Sequence, residues 1–251
     1  MPSAVEPVLA DPPSYERRSV LRQHWSELAF FHWAYAPEIV QPLLPVGLTV
    51  DTFDGTAWVG LIPFEMRNVR VGRTPPVPWL GTFVEINVRT YVVDPSGRRA
   101  VWFFSLDVPR SAVVAIARTV FALPYYRARA THIRDEEHHR YEMRRGWPHR
   151  RRPSAEMRFR VGDAIPDATV GDLDCFLTAR WALMTQRRGR LLYGQVHHPR
   201  WPLYRVEDVH IEESVIEAAG LPSPTGGPRA LYSPGVDVEA AWLQTVPSEK
   251  Q

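Results

Sequence analysis

The run Phe83-Val84-Glu85-Ile86-Asn87-Val88-Arg89-Thr90-Tyr91 alternates two kinds of side chain. Strand side chains point to opposite faces at period two, so Glu85, Asn87, Arg89 and Tyr91 share one face and Val84, Ile86, Val88 and Thr90 the other. Faces this unlike mean that one packs on a core while the other meets water or a pocket. The strand reads over residues 82–93. A second, over 99–108, follows Asp94-Pro95-Ser96-Gly97, whose residue types make a tight turn. The pair is a hairpin, which sets an antiparallel sheet.

Working outward towards the N-terminus, residues 25–35 are aromatic and largely apolar and fit a buried strand, although periodicity does not exclude a helix. Pro37 suits the first turn of a short helix ending near Leu44. Residues 48–53 and 56–70 flank Asp54-Gly55 as another hairpin, and a Pro-rich loop spans 74–79. Towards the C-terminus, 111–123 is the clearest helix. Ser111 is its expected N-cap, Val113, Ile116, Ala117 and Val120 repeat at helical spacing, and Pro124 ends it. Strands are expected at 126–133, 139–144, 156–161, 180–185, 191–197 and 203–209. Short helices are expected at 172–178 and at 212–219, the latter stopped by Gly220. The sum is a mainly antiparallel β protein with a few packed helices. Residues 1–14, rich in Pro and small side chains, read as a flexible N-terminal arm, and 15–251 as a single domain without internal repeats.

Composition narrows the chemistry. The chain has 251 residues, 45% apolar and 23% charged, enough for a sizeable core, and nine tryptophans that suit a core or an aromatic pocket. A formal net charge of +2 gives no argument for nucleic acid or an acidic membrane. Lys250, next to the last residue, is the only lysine; nearly every basic residue is therefore Arg, which stays protonated and forms no imine. Cys175 is the only cysteine, so no intramolecular disulfide is expected. With no apolar run near ~20 residues and no basic, apolar leader, the expected location is cytoplasmic.

Three stretches together resemble a known family. They are Gln23-His24-Trp25-Ser26-Glu27-Leu28 running on to His32-Trp33, the Phe83–Tyr91 strand, and Val101-Trp102-Phe103-Phe104-Ser105-Leu106-Asp107 with Leu123-Pro124-Tyr125-Tyr126 beyond the helix. The chain resembles the YqjF-like family, known by its domain of unknown function 2071, from about His24 to beyond Tyr204. That family is similar in fold to the acetoacetate decarboxylases. The resemblance implies a strongly curved antiparallel sheet closed like a cone or barrel around a pocket. In the decarboxylases a helix with a Gly-Arg-Glu pattern ends near Pro-Lys-Lys, whose first lysine forms the imine. Here the corresponding residues are Ala117-Arg118-Thr119 and Pro124-Tyr125-Tyr126. Arg118 and Pro124 match, tyrosines replace the lysines, and Schiff-base chemistry is not expected.

The resemblance and the strand pattern give the candidate residues. Glu85 is the candidate acid or base, by analogy with a pocket glutamate of the decarboxylases, or else part of a solvated sheet face. Arg118, in an otherwise apolar helix, is expected to pair with Glu85 or Asp107 or to bind a substrate carboxylate. Tyr125 is a candidate hydrogen-bond donor in the catalytic group. Asn87, Arg89, Trp102, Phe103, Ser105 and Tyr126 are the candidate ligand-binding residues. Ser105 and Asp107 share a face with Phe103, yet no His stands at a spacing that suggests a triad. His138-His139 and His197-His198 are adjacent pairs that point apart on strands, and His24 and His32 lie ~26 Å apart on a continuous strand, so no metal and no cofactor is expected. Arg144, Arg145, Arg150, Arg151 and Arg152 read as a solvated hairpin tip.

Three functions remain open. The first is binding of a small organic molecule in an aromatic-lined pocket. The second is lysine-independent acid–base catalysis, as an isomerase, cyclase or lyase, on a carbonyl or carboxylate compound. The third is interaction through the Arg-rich tip. The expected partner is a small-molecule ligand or substrate, with no nucleic acid and no membrane; a homo-oligomer is compatible with the sequence.

Overall fold

A computed structural model describes residues 4–15, 19–72, 74–75, 81–146 and 152–247. The strands are β1 (Ser19–Tyr35), β2 (Thr49–Val50), β3 (Thr52–Phe53), β4 (Thr56–Val71), β5 (Phe83–Val93), β6 (Arg99–Val108), β7 (Tyr125–Asp135), β8 (His138–Arg145), β9 (Ser154–Ala164), β10 (Ala182–Arg187), β11 (Arg190–His197), β12 (Tyr204–Glu213), β13 (Arg229–Ala241) and β14 (Gln244–Thr245). The helices are α1 (Pro37–Val40), α2 (Ser111–Val120), α3 (Asp172–Thr178) and α4 (Val215–Ala218). None of them is long and apolar enough to cross a membrane.

All the strands belong to one 14-stranded sheet. The path β6-β7-β8-β9-β12-β13-β1-β4-β5 returns to β6, because β5 also pairs with β6. That pairing closes a large ring. A smaller ring shares the β13-β1-β4-β5-β6 wall: β10 pairs with β6, β11 with β10, and β11 with β13. The large ring is filled by Phe31, Tyr141, Met157, Phe159 and Tyr232, all buried. The smaller ring is not filled to the same degree and holds the cavity described below.

The sheet is not wholly antiparallel. β6 pairs in parallel with β7 and with β10. A parallel pair needs a crossover, and α2 supplies it between β6 and β7. The expected hairpins are present. Asp54 and Gly55 both have positive φ, 48° and 76°, the pattern of a two-residue turn between Phe53 and Thr56. Within the expected 48–53 segment, Thr49 and Val50 form a separate short strand, β2, paired with β5. At the second hairpin the Asp94 carboxylate accepts from the Ser96 and Arg98 backbone N–H groups and from the Arg98 guanidinium.

Several local expectations fail for identifiable reasons. Ser111 does not cap α2; the N-cap is Arg110, and no side chain bonds the first turn. The helix stops at Val120, three residues early, and Ala122 turns the chain at φ 53°. Residues 212–213 are strand, held by pairing with β9; Glu213 accepts from the Ile216 N–H at the start of α4. β13 was not anticipated: no strand is expected from the sequence after residues 203–209, and Pro234 and Gly235 interrupt its strand pattern. Gly235 adopts φ 131° where β13 crosses β1, and a Cβ there would sit 2.2 Å from the Trp25 carbonyl oxygen.

Residues 4–15 carry no helix or strand, but they lie against the body. The Glu6 N–H donates to the Gly97 carbonyl, Trp181 Nε1–H to the Leu9 carbonyl, and the Arg200 guanidinium pairs with the Asp11 carboxylate.

Candidate active site

Every strand of the smaller ring contributes to a cavity of about 280 Å³. β5 supplies Phe83, Glu85 and Arg89; β6 supplies Val101, Phe103 and Leu106; α2 supplies Val113, Ile116 and Ala117. Leu123 and Tyr125 come from the end of the crossover, and Arg180, Gln195 and His198 from the β10–β11 side. The volume is at the small end of the ~300–1,000 Å³ typical of ligand sites. Val71 and Ile116, both 53% exposed, mark the mouth, and Arg89 and Arg180 are buried within.

The β5 alternation places the predicted face inward, but neither face is solvated. Glu85, Asn87, Arg89 and Tyr91 are buried, and so are Ile86, Val88 and Thr90. One face closes the smaller ring and the other packs in the large one, as a strand shared by two rings requires. Within the inward set, Glu85 and Arg89 line the cavity. Asn87 hydrogen-bonds Glu85 without lining it.

Glu85 and Tyr125 form the acid end. The Tyr125 hydroxyl donates to Glu85 Oε2 at 2.8 Å, and both side chains are buried. Burial pushes the Glu85 carboxyl up to about 7, against the hydrogen bonds from Tyr125 and Asn87, with Asp107 adding repulsion. Burial also drives the Tyr125 phenol well above its ordinary value, and the neighbouring Glu85 reinforces this. Near neutral pH the pair can therefore take up or release one proton at Glu85, while Tyr125 remains a donor.

Arg118 is not in the site. The helix turns Val113 and Ala117 towards the cavity, and Arg118, one residue further round, is exposed. Its guanidinium lies 5.5 Å from the Tyr126 ring centroid instead. The expectation of burial came from the apolar composition of α2, but α2 covers the cavity mouth, so even Ile116 and Val120 remain exposed. The carboxylate proposed for Arg118 is also taken: Asp107 forms a two-pronged pair with Arg145, at 2.7 and 2.6 Å. Arg145 is 3% exposed, so it is not part of a solvated tip. Arg150 and Arg151 lie outside the described residues.

Tyr126 points away from Tyr125, as neighbours on a strand must, and lies under the Arg145 guanidinium at 4.2 Å. Trp102 packs with Leu48, Val92 and Met184 away from the cavity. Ser105 is buried, outside the lining, with no hydrogen-bond partner for Oγ. The cause of the last departure is a register shift between Val88 and Arg89 against β6. It puts Phe103 and Leu106 on the cavity side and removes Ser105 from the face it would share with Phe103.

The sequence reading missed the opposite end. Arg180 pairs with Asp51 at 2.7 Å and packs over the Tyr91 and Phe176 rings. His198 lines the cavity, and its Nδ1–H donates to the Pro199 carbonyl at 2.7 Å. Burial, above all, lowers its pKa to about 4, so the ring is neutral. Trp25, Trp181 and Trp201 surround it, with ring centroids 6.3, 4.6 and 4.8 Å away. The alternation rule did carry a signal here: of the adjacent His197-His198 pair, His198 lines the cavity while His197 meets Tyr15.

Arg89 has an unusual environment. It is 8% exposed, Nε has no hydrogen-bond partner, and Nη2 reaches the Tyr91 hydroxyl and the Leu177 carbonyl only at 3.4 Å. No carboxylate pairs with it among the described residues. The rings of Phe30 and Tyr91 lie 5.6 and 5.7 Å from its carbon. Cation–π contacts return about 1–2 kcal/mol. Burying an unpaired guanidinium costs several kcal/mol, so these rings do not balance it. Trp25 Nε1, Arg180 Nη2 and Gln195 Oε1 are also buried without partners, and all three residues line the same cavity. Native proteins leave few buried polar atoms without a protein partner, so four residues carrying such atoms around one cavity stand out.

Two joined rings of strands, one filled and one holding a cavity, define the class as an acetoacetate-decarboxylase-like fold. Comparison with solved structures agrees. The acetoacetate decarboxylase of Legionella pneumophila superposes with a TM-score of 0.66 at 12% identity, over 94% of this chain and 92% of that one. The enduracididine biosynthesis enzyme MppR complexed with pyruvate gives 0.62 at 12%, over 95% and 92%. At these identities the likeness is one of fold alone. The chain itself belongs to the DUF2071 family, described as an uncharacterized conserved protein, whose model matches residues 22–237. The uncharacterized protein YqjF of Bacillus subtilis (strain 168) is 32% identical over 219 residues, 87% of this chain and 89% of the relative.

Proposed function

We propose that this chain binds a small, largely apolar organic molecule in the smaller ring, without forming an imine. The observation that carries the reading is the cavity of about 280 Å³, in which polar groups without partners stand among apolar walls. Apolar burial drives entry, and the few polar groups set orientation. The imine is absent from the reading because Tyr125 stands in the cavity and Lys250 lies at the far end of the sequence. Native mass spectrometry of the gently purified protein tests it. A bound organic mass lost in an Ala117→Trp variant is the expected result; a wild-type protein that takes up no organic molecule from a broad carboxylate and ketone panel contradicts it.

One observation favours a catalytic version. Glu85 sits near neutrality beside a phenol that stays protonated, and a general base works best with a pKa near the working pH. The matching reaction is proton transfer at carbon next to a carbonyl, with Tyr125 donating to the carbonyl oxygen. Deuterium incorporation from D2O into a bound ketone, followed by NMR and abolished by Glu85→Gln, is the expected outcome. Equal exchange in the variant removes Glu85 from the chemistry. Arg145 is committed to Asp107, and this weakens the reading of an interaction protein built on the Arg-rich tip.

A further inference from the structure

We infer that the Arg89 end of the cavity is a carboxylate subsite, so that the ligand is an apolar monocarboxylate that enters head-first past Val71 and Ile116. The inference rests on the small-molecule reading above and adds the chemical class and the direction of the ligand.

Charge bookkeeping within the cluster is the first argument. Arg89, Arg99 and Arg180 gather around Tyr91 and Phe176. Among the described residues Asp51 is the carboxylate paired with them, holding both Arg99 and Arg180. Asp174, on α3 with Phe176, is occupied by the Arg229 guanidinium. His32, which hydrogen-bonds Tyr91, is buried, and its pKa is driven well below the ordinary histidine value by burial and by Arg89, Arg180 and Arg229. It adds no charge. The cluster therefore holds more cations than anions, and Arg89 is the guanidinium left over.

Geometry is the second argument. Arg89 is more than nine-tenths buried, lines the cavity and has an Nε without a partner. Arg180 Nη2 is likewise without a partner on the same cavity. A planar guanidinium offers parallel N–H groups that match the two oxygens of a carboxylate. Polarity along the cavity is the third. Arg89 and Glu85 are four residues apart on one strand, so their Cα atoms are about 13 Å apart. Phe103, Leu106 and Ala117 lie among the walls with them. A carboxylate beside Glu85 would meet a second acid, whereas beside Arg89 it meets the surplus cation. A monocarboxylate with an apolar body fits that gradient, and a group at the other end that can accept from Tyr125 or Glu85 adds to the match.

Calorimetry with octanoate and its uncharged analogue octanamide, at pH 6 on the full chain, tests the assignment. The expected result is octanoate binding at least tenfold more tightly than octanamide. Arg89→Met should weaken octanoate binding at least tenfold and bring the two affinities within about twofold of each other. Circular dichroism identifies a variant that has not folded; Arg89→Lys, which keeps the charge and loses the fork, then takes its place and should show a reduced preference of the same sign. Octanamide binding as tightly as octanoate to the wild type overturns the carboxylate subsite while the cavity reading stands. Unchanged octanoate preference in folded Arg89→Met and Arg89→Lys also overturns it. Failure of both probes to bind overturns both readings together.

Discussion

Glu85 shows how far one residue's environment differs from its sequence context. The β5 alternation identified its face, and the resemblance to decarboxylases suggested a pocket, but neither could give the strength of its desolvation. Burial raises the carboxyl to about 7 in the folded chain, against an ordinary value of 4.5. A folded pKa above the unfolded one means that the folded state holds its proton more tightly. The associated stability is fully present below about pH 4.5 and is lost as pH rises towards and through 7. A shift of this size corresponds to about 3 kcal/mol at most between the two limits. Glu85→Gln removes the titration and keeps an oxygen to accept from Tyr125. Chemical denaturation across pH should therefore show the variant close to wild type at pH 4.5. It should be more stable than wild type by about 1–3 kcal/mol at pH 8.5. Parallel stability curves for the two proteins across that range would show that Glu85 is not the buried, proton-holding group described. Arg118 teaches the converse. An apolar helix composition suggested a buried guanidinium, but exposure is decided by which stripe of the helix meets the sheet.

At the scale of elements, the β5–β6 hairpin and the long strands were legible because alternation and turn residues act locally. The register shift opposite Val88 and Arg89 was not legible, since a bulge adds one residue without any signature in composition. That shift removed Ser105 from the expected site. β13 was hidden for a related reason: Gly235 serves as a strand residue at φ 131°, where β1 passes too close for any Cβ. Gly235→Ala should therefore weaken the β1–β13 seam common to both rings, at a cost of at least about 2 kcal/mol from backbone strain and close contact. Urea unfolding measures it, and a loss under about 0.5 kcal/mol, the range of ordinary surface changes, would refute the close approach. The Asp107–Arg145 pair links β6 to β8 within the larger ring. Asp107→Asn leaves a buried guanidinium uncompensated and should cost about 3–5 kcal/mol. Asp107→Asn should nevertheless leave ligand affinity unchanged wherever the variant is folded, because neither partner lines the cavity.

For the whole molecule, the proposed function divides stability from binding between the two rings. They share the β13-β1-β4-β5-β6 wall, so both faces of that wall are largely buried, the β5 face with Glu85, Asn87 and Arg89 included. The sequence showed this as the aromatic, largely apolar segment over residues 25–35, but ring closure itself depends on pairs distant in sequence, such as β11 with β13, which no local pattern encodes. In the large ring, Met157 is fully buried among Tyr141, Phe159 and Phe31. In the smaller one, Ala117 is the small side chain that α2 presents to the cavity. The two positions should respond oppositely to changes in volume. Met157→Ala opens a void in a filled core and should lower stability by about 2–5 kcal/mol. Its ligand affinity, measured below the unfolding midpoint, should stay within about twofold, the scale of a few tenths of a kcal/mol expected for distant, independent sites. Ala117→Phe adds a ring where space exists, so its effect on stability should fall within the about 1–3 kcal/mol found for overpacking, or below it. Its ligand affinity should drop by at least tenfold, because the added ring occupies volume the ligand needs. Thermal unfolding and calorimetry on both variants decide the matter. Were Met157→Ala to abolish binding at full folding, or Ala117→Phe to bind as the wild type does, the cavity in the smaller ring would not be the binding site.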